Sequence, residues 1–351
     1  MTCTNREMLL INSIAGSFQR HPRQVNKLFE SDAEILRMKD LQPDYLLIKT
    51  DGIHEEIKEG LYEDPYLIGW MAITVTVSDL AATGADLLGL LLSLQLPKDH
   101  TAQWLQQFQK GINDACKEYQ TYILGGDTNY NQLVSVTTTG VATVSNTTPL
   151  LRTGILPGDL LYSSGGLGTG NAFAYARFFD ASLDIGYSPT ARMRESKLIR
   201  QFASACIDTS DGLFPALSVL AEVNQAGFQL DTPLRQVLSA EATATVLKTG
   251  LPSWLFLAGP HGEYELLFTV PPAAQQAFEA VCADHGWKPL RLGRAKAEKA
   301  ITFITEDLCV TTPPSEIANA FAEADSDINN YFSLLMQMHR RWSQPKTDTV
   351  C

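Results

Sequence analysis

Basic charge is scarce in this chain: 27 Lys and Arg stand against 39 Asp and Glu among 351 residues, a net charge of −12. A protein that grips nucleic acid needs a basic footprint to displace counterions from the phosphates, so that class of partner is excluded. ATP stays open, because bound Mg²⁺ reconciles an acidic pocket with an anionic ligand. Long apolar stretches are missing too. The run Leu87–Leu96 is about half a membrane span and reads as a buried strand, so no membrane partner is expected. No basic segment followed by a long apolar one opens the chain, which predicts no signal peptide. Cys3, Cys116, Cys206, Cys282, Cys309 and Cys351 form neither a CxxC pair nor a zinc spacing, which predicts reduced thiols in a cytoplasmic protein. What is present is ordinary globular material, 45% hydrophobic and 19% charged, with length for about two domains.

The element pattern is α/β. Strands are predicted at Tyr45–Thr50, Leu87–Leu96, Thr121–Leu124 and Gln132–Val144, with a helix over about 101–118. Leu67–Ala82 alternates Ile73-Thr74-Val75-Thr76-Val77 like a strand and then enters SDLAATGA, whose small residues suit tight helix packing. Turn formers cluster around Arg152 in RTGILPGD, which reads as a hinge between domains at 1–150 and 151–312. A second α/β unit follows: a strand at Leu160–Ser163, a glycine-rich loop over 164–170, a helix to Phe179, helices near 195–203 and 213–225, and a strand at Glu265–Val270. The tail, 313–351, carries Ile317, Phe321, Ala324, Ile328, Tyr331, Leu335 and Met338 at alternating spacings of four and three, a helical seam behind the N-cap candidate Ser315. Such a seam serves either its own domain or a protein partner.

Six aspartates sit in short turns, most of them after apolar, strand-like runs: Asp32, Asp51, Asp79, Asp127, Asp208 and Asp211. Singly, each reads as a turn former or helix cap. As a set they offer what a hard cation needs, carboxylate oxygens from several elements with phosphate and water completing the shell. In GGDT (125–128) two glycines permit close backbone approach to a ligand. In DTSDG (208–212) two carboxylates three residues apart share one face of a helix start; a cation, or one capping and one solvated Asp, accounts for them. Loop 165–170 could cradle phosphate through its amides, although it lacks the GxxxxGK[ST] pattern. Arg152 offers either a bidentate phosphate contact or a hinge salt bridge.

Taken in order, TD (50–51), SDLAATGA (78–85), GGDT (125–128), RTGxxPGD (152–159), IDTSDGL (207–213) and YELLFTVP (264–271) resemble the thiamine-monophosphate kinase branch of the superfamily that holds aminoimidazole ribonucleotide synthetase, selenophosphate synthetase and HypE. The resemblance runs over about residues 5–310. It implies a two-domain α/β (α+β) synthetase-like fold, with an N-terminal ATP/Mg²⁺ domain that contributes its sheet to a dimeric barrel and a C-terminal α/β sandwich. It also implies transfer of the ATP γ-phosphoryl group to a small, phosphorylated acceptor in a homodimer. Carried over position by position, Asp32, Asp51, Asp79, Asp127, Asp208 and Asp211 would bind Mg²⁺, with Asp127, Asp208 and Asp211 closest to the chemistry. Gly126, Asp127, Arg152 and Ser210 would contact ATP, and His54 and Glu263 would stand on the acceptor side.

The departures have a direction. Ser31 stands where the family has a second carboxylate, and Lys49 where it has a hydroxyl, changes that predict either fewer or weaker Mg²⁺ sites or a direct contact of Lys49 with phosphate. His54 and Glu263 fall in altered acceptor-side motifs, so the nucleotide half looks kept and the acceptor half changed. Two further uses of this framework stay open: phosphorylation of an amide or carbonyl oxygen, as in the synthetase and HypE branches, with Cys351 in the place of HypE's terminal cysteine, and a silent ATP-binding scaffold.

Overall fold

The computed structural model describes residues 25–27, 29–38, 43–306 and 308–344, together with Met8 and Arg23. Two sheets organise the chain. The first has the order β1-β2-β5-β3-β4, built from β1 (Glu34–Arg37), β2 (Tyr45–Gly52), β3 (Asp86–Leu96), β4 (Ile123–Tyr130) and β5 (Ser135–Val144). All its pairings are antiparallel except β3 with β4. Helix α1 (His54–Lys58) follows β2 directly.

Helix α2 (Pro65–Ala82) packs on β2 and β5 across one face of that sheet, and α3 (Ala102–Glu118) packs against α2. Asp64 caps α2 by accepting from the Tyr66 and Leu67 amides, and Pro65 occupies the first turn, where no amide is needed. The strand-like alternation at 73–77 is overruled here. The segment is buried on every side, so the apolar–polar period that separates helix from strand is absent and Thr74 and Thr76 hide their hydroxyls against Trp70, Tyr119 and Thr138. Helices α2 and α3 meet at two glycines: a Cβ on Gly69 would lie 2.1 Å from the Phe108 carbonyl, and one on Gly111 2.1 Å from that of Tyr66. Among the described residues α2 alone is long and apolar enough to cross a membrane, and it is spent as an interior helix.

The second sheet, β12-β11-β8-β10-β6-β9-β7, holds β6 (Leu160–Ser163), β7 (Ala205–Asp208), β8 (Gly227–Leu230), β9 (Leu266–Val270), β10 (Leu290–Lys296), β11 (Ile301–Thr305) and β12 (Leu308–Thr312). Around it lie α4 (Thr169–Phe178), α5 (Met193–Ile199), α6 (Leu213–Asn224), α7 (Ala240–Thr249) and α8 (Gln275–Asp284). The tail forms α9 (Pro314–Ala318), α10 (Ala320–Glu323) and α11 (Ile328–Trp342) instead of one helix, because Asp325 and Ser326 both take positive φ. Pro313, not Ser315, is the residue before α9. The seam is used internally: Tyr331, Leu335, Met338 and Trp342 join a core with Phe214, Trp254 and Phe303. Cys116, Cys206 and Cys282 are free thiols, as expected, but Cys309 is disulfide-bonded. Cys351 lies outside the described residues.

Candidate active site

Three chain segments bring Asp32, Asp79 and Asp208 together. Asp32 precedes β1, Asp79 lies in the last turn of α2 and Asp208 ends β7. One carboxylate oxygen from each falls within 4.8 Å of the others, and all three residues are buried. The packing between α2 and β7 makes this possible, since Ser78 donates to Asp208 Oδ2 at 2.7 Å. Ser210 donates to Asp208 Oδ1 at 3.0 Å from the following turn. Asp79 is therefore not in a turn after a strand. A helix places it there, next to a serine that ties the two halves of the chain.

Two fixed cations offset these charges. Arg152 grips Asp32 through both oxygens, Nε to Oδ2 at 2.9 Å and Nη2 to Oδ1 at 2.5 Å. Its backbone is held in turn: the Arg152 amide donates to Glu30 O, and Asn224 donates to Arg152 O while accepting from the Gly154 and Ile155 amides. Lys49, on β2, sits 3.0 Å from Asp79 Oδ2 and 3.5 Å from Asp51 Oδ2. Lys49 is the partner of Asp79 Oδ2, which is buried and has no other hydrogen-bond donor among the described residues. Burial raises the Asp79 carboxyl well above the usual range; Lys49 opposes this, and the neighbouring carboxylates reinforce it. Burial and then Asp32 push Asp208 up to about 6. Burial alone would lower the Lys49 ammonium, yet Asp79 and Asp51 hold it above the ordinary lysine range. An all-oxygen donor set carrying more negative than positive charge fits a hard divalent cation.

A cleft of about 660 Å³ opens beside the cluster. Arg152, Asp208, Ser210 and the exposed Asp211 line it, together with Glu55 and Glu56 of α1 and Glu59 just after it. Its far wall is apolar and comes partly from the tail, with Ile317 and Phe321 opposite Val219 of α6. Glu56 is pushed up to about 7 by burial, a shift its own backbone hydrogen bond opposes and Asp51 increases. Burial lowers His261, which also lines the cleft, to about 4, and its Nε2 makes no hydrogen bond. Sequence reasoning passed over these three glutamates and His261. The i, i+4 spacing of Glu55, in α1, and Glu59, its C-cap, was the available signal.

Other candidates lie elsewhere within the chain. Asp127 and Gly126 are inside β4, which is exposed along its whole length, and not in a turn after a strand. The registers place Gly52, Thr137, Ser93 and Asp127 in one row, so Asp127 is about 14 Å from Gly52 across the sheet. Asn129 donates to Asp127 at 2.6 Å. A Cβ on Gly126 would lie 1.9 Å from Leu92 O, so strand packing already explains that glycine. His54 is exposed at the start of α1 and is not among the cleft residues. Glu263 is buried away from the cleft, accepting from the Gly168 amide at 2.6 Å and from Thr209 Oγ1 at 2.9 Å. That contact also spends the glycine-rich loop on protein, since a Cβ on Gly170 would lie 2.0 Å from Gly262 O.

Residues 30–144 match the family described as AIR synthase related protein, N-terminal domain. The thiamine-monophosphate kinase of Escherichia coli O157:H7 is 30% identical over 259 residues, 71% of this chain and 78% of that one. The chain belongs to the thiamine-monophosphate kinase family. A relative of the same name from Aquifex aeolicus is 30% identical over 64% of this chain and 76% of its own. Among solved structures, a Thermus thermophilus protein aligns with a TM-score of 0.70 at 26% identity, covering 84% of this chain and 95% of that one. The fold is also that of a ThiL protein complexed with AMPPCP and TMP, at a TM-score of 0.67 and 23% identity over 84% and 91% of the two chains. It is shared with HypE in a HypE–HypF complex, at 0.68 and 18% over 87% and 99%. Family membership makes this chain an ATP-dependent phosphotransferase with a two-domain α/β fold.

Proposed function

We propose that this kinase transfers the γ-phosphoryl group of Mg²⁺-ATP to the phosphate of a small acceptor, thiamine monophosphate being the one its relatives' name supplies. The observation that carries this is the convergence of Asp32, Asp79 and Asp208 beside a cleft large enough for a nucleotide. Asp32, Asp79 and Asp208 would hold Mg²⁺, with Asp51 next to them and Asp211 at the cleft. Bound there, the metal would neutralise phosphate charge as it develops. Arg152 and Ser210 face the cleft from the same side and would orient the phosphates, Arg152 as a cation already fixed by Asp32. On the acceptor side, the carboxylates of α1 and the apolar tail wall suit a ligand with a positively charged, flat organic part.

A second copy of the chain would cover β4. The strand is an edge, and Leu91, Tyr122, Leu124 and Tyr130 are exposed on or beside it. Sedimentation of a monomer at micromolar concentration would rule this out.

The test of the activity is incubation with Mg²⁺-ATP, with and without thiamine monophosphate, followed by mass spectrometry. Thiamine diphosphate and ADP are expected only in the complete mixture. ATP consumption that ignores the acceptor, or no consumption at all, refutes the acceptor.

A further inference from the structure

Lys49 occupies a position that chemistry would otherwise give to a metal. It lies two residues before Asp51 on β2, so both side chains leave the same face of the strand. That face meets the end of α2 carrying Asp79. The ammonium bridges the two carboxylates, 3.0 Å from Asp79 Oδ2 and 3.5 Å from Asp51 Oδ2. Asp79 is 5% exposed, and the Lys49 ammonium is the partner its Oδ2 has among the described residues. A Mg²⁺ ion in the same place would contact that oxygen at about 2.1 Å.

We propose that Lys49 is a built-in cation taking the place of one divalent ion between Asp51 and Asp79, so that this kinase binds its nucleotide with one metal fewer than its carboxylates would otherwise recruit. The inference rests on Asp32, Asp79 and Asp208 being metal ligands. Charge arithmetic supports it. Asp32, Asp51, Asp79 and Asp208 carry four negative charges; Arg152 and Lys49 return two, leaving room for a single divalent cation at neutrality. Removing Lys49 adds one uncompensated negative charge and empties the space between two carboxylates, a change that strengthens divalent binding by direct Coulomb attraction. An arginine there would keep the cation and close the gap.

The experiment counts Mn²⁺ bound per chain by electron paramagnetic resonance, with a non-hydrolysable ATP analogue present, in wild type, Lys49→Thr and Lys49→Arg. Lys49→Thr is expected to bind one Mn²⁺ more than wild type, and Lys49→Arg the same number. Melting temperature followed against Mn²⁺ gives a second readout, and the threonine variant should need at least tenfold less metal for the same rise. Equal counts and equal melting curves in wild type and Lys49→Thr overturn the proposal. If the threonine variant is unfolded without metal, recovery of its transition by Mn²⁺ supports the proposal, and no recovery at any concentration overturns it. A wild type that binds no Mn²⁺ with nucleotide instead refutes the metal-site reading beneath it, an outcome distinct from equal non-zero counts.

Discussion

Two buried acidic regions of this molecule look alike in sequence and differ in physics. At the first, Asp32, Asp79 and Asp208 crowd oxygens within 4.8 Å beside an open cleft, with only Arg152 and Lys49 as cations against them among the described residues. At the second, Glu263 is met by the Gly168 amide and Thr209, while Arg192 and Ser164 hold its neighbour Glu265. Both regions join a strand end to a glycine-bearing turn. The chain satisfies the second by itself and leaves the first in charge deficit. Buried groups are normally paired and their charge offset, so the region left with excess negative charge is where a ligand contributes free energy, and the satisfied region is where the fold does.

The largest expected effect breaks the first region directly. Asp208→Asn should lower kcat by about 10²–10³-fold, the scale on which one electrostatic group in a water-excluded site acts. It should leave the metal-free melting temperature unchanged or higher, because one of three crowded like charges is gone. A variant that keeps its activity, or that loses activity only by unfolding, would erase the contrast between the regions.

Arg152→Met comes next. It strips Asp32 of its bidentate partner and leaves a buried carboxylate uncompensated, a loss of about 3–5 kcal/mol. That should lower the melting temperature by roughly 10 °C. Adding Asp32→Asn should restore much of the stability without restoring activity, and differential scanning calorimetry of the pair separates the two roles of the ion pair. Full additivity of the two losses would mean that the pair does not act as a unit.

The sequence made some of this visible and hid the rest for identifiable reasons. Strand β2 carries period-2 chemistry that local reading detects, so Lys49 falls on its expected strand; Asp51 and Asp208, expected in turns, are instead strand residues, inside β2 and at the end of β7. Helix α2 defeated that reading, because burial on all sides removes the period and Ile73–Val77 alternates as a strand does. Asp127 was legible as a GGDT motif but not as part of an open strand face, since exposure depends on the sheet order and not on neighbouring residues. The glycine-rich loop looked like a phosphate cradle because glycine allows close approach to anything. Here it approaches Gly262, Ser239 and Glu265. Nothing local announced the tail as a cleft wall. Only its packing against Trp254 and Phe303 brings Phe321 to the site.

The smallest effect belongs to the satisfied region and is read through pH. Burial pushes Glu263 up to about 8, partly opposed by the Gly168 and Thr209 hydrogen bonds. The unfolded chain releases this proton near the ordinary 4.5, whereas the folded chain keeps it to about 8. Between those values the folded state binds more protons, so this residue makes stability fall as pH rises, and the decline ends once both states are ionised. Glu263→Gln removes the proton while keeping an acceptor oxygen for the Gly168 amide. The variant should match wild type near pH 5, melt a few degrees higher at pH 8, and lose the intervening slope, each pH unit being worth about 1.4 kcal/mol at most. Thermal melts at five pH values decide it. An unchanged slope would mean that Glu263 is ionised in the folded protein, and the second region would then share the charge deficit that sets the first apart.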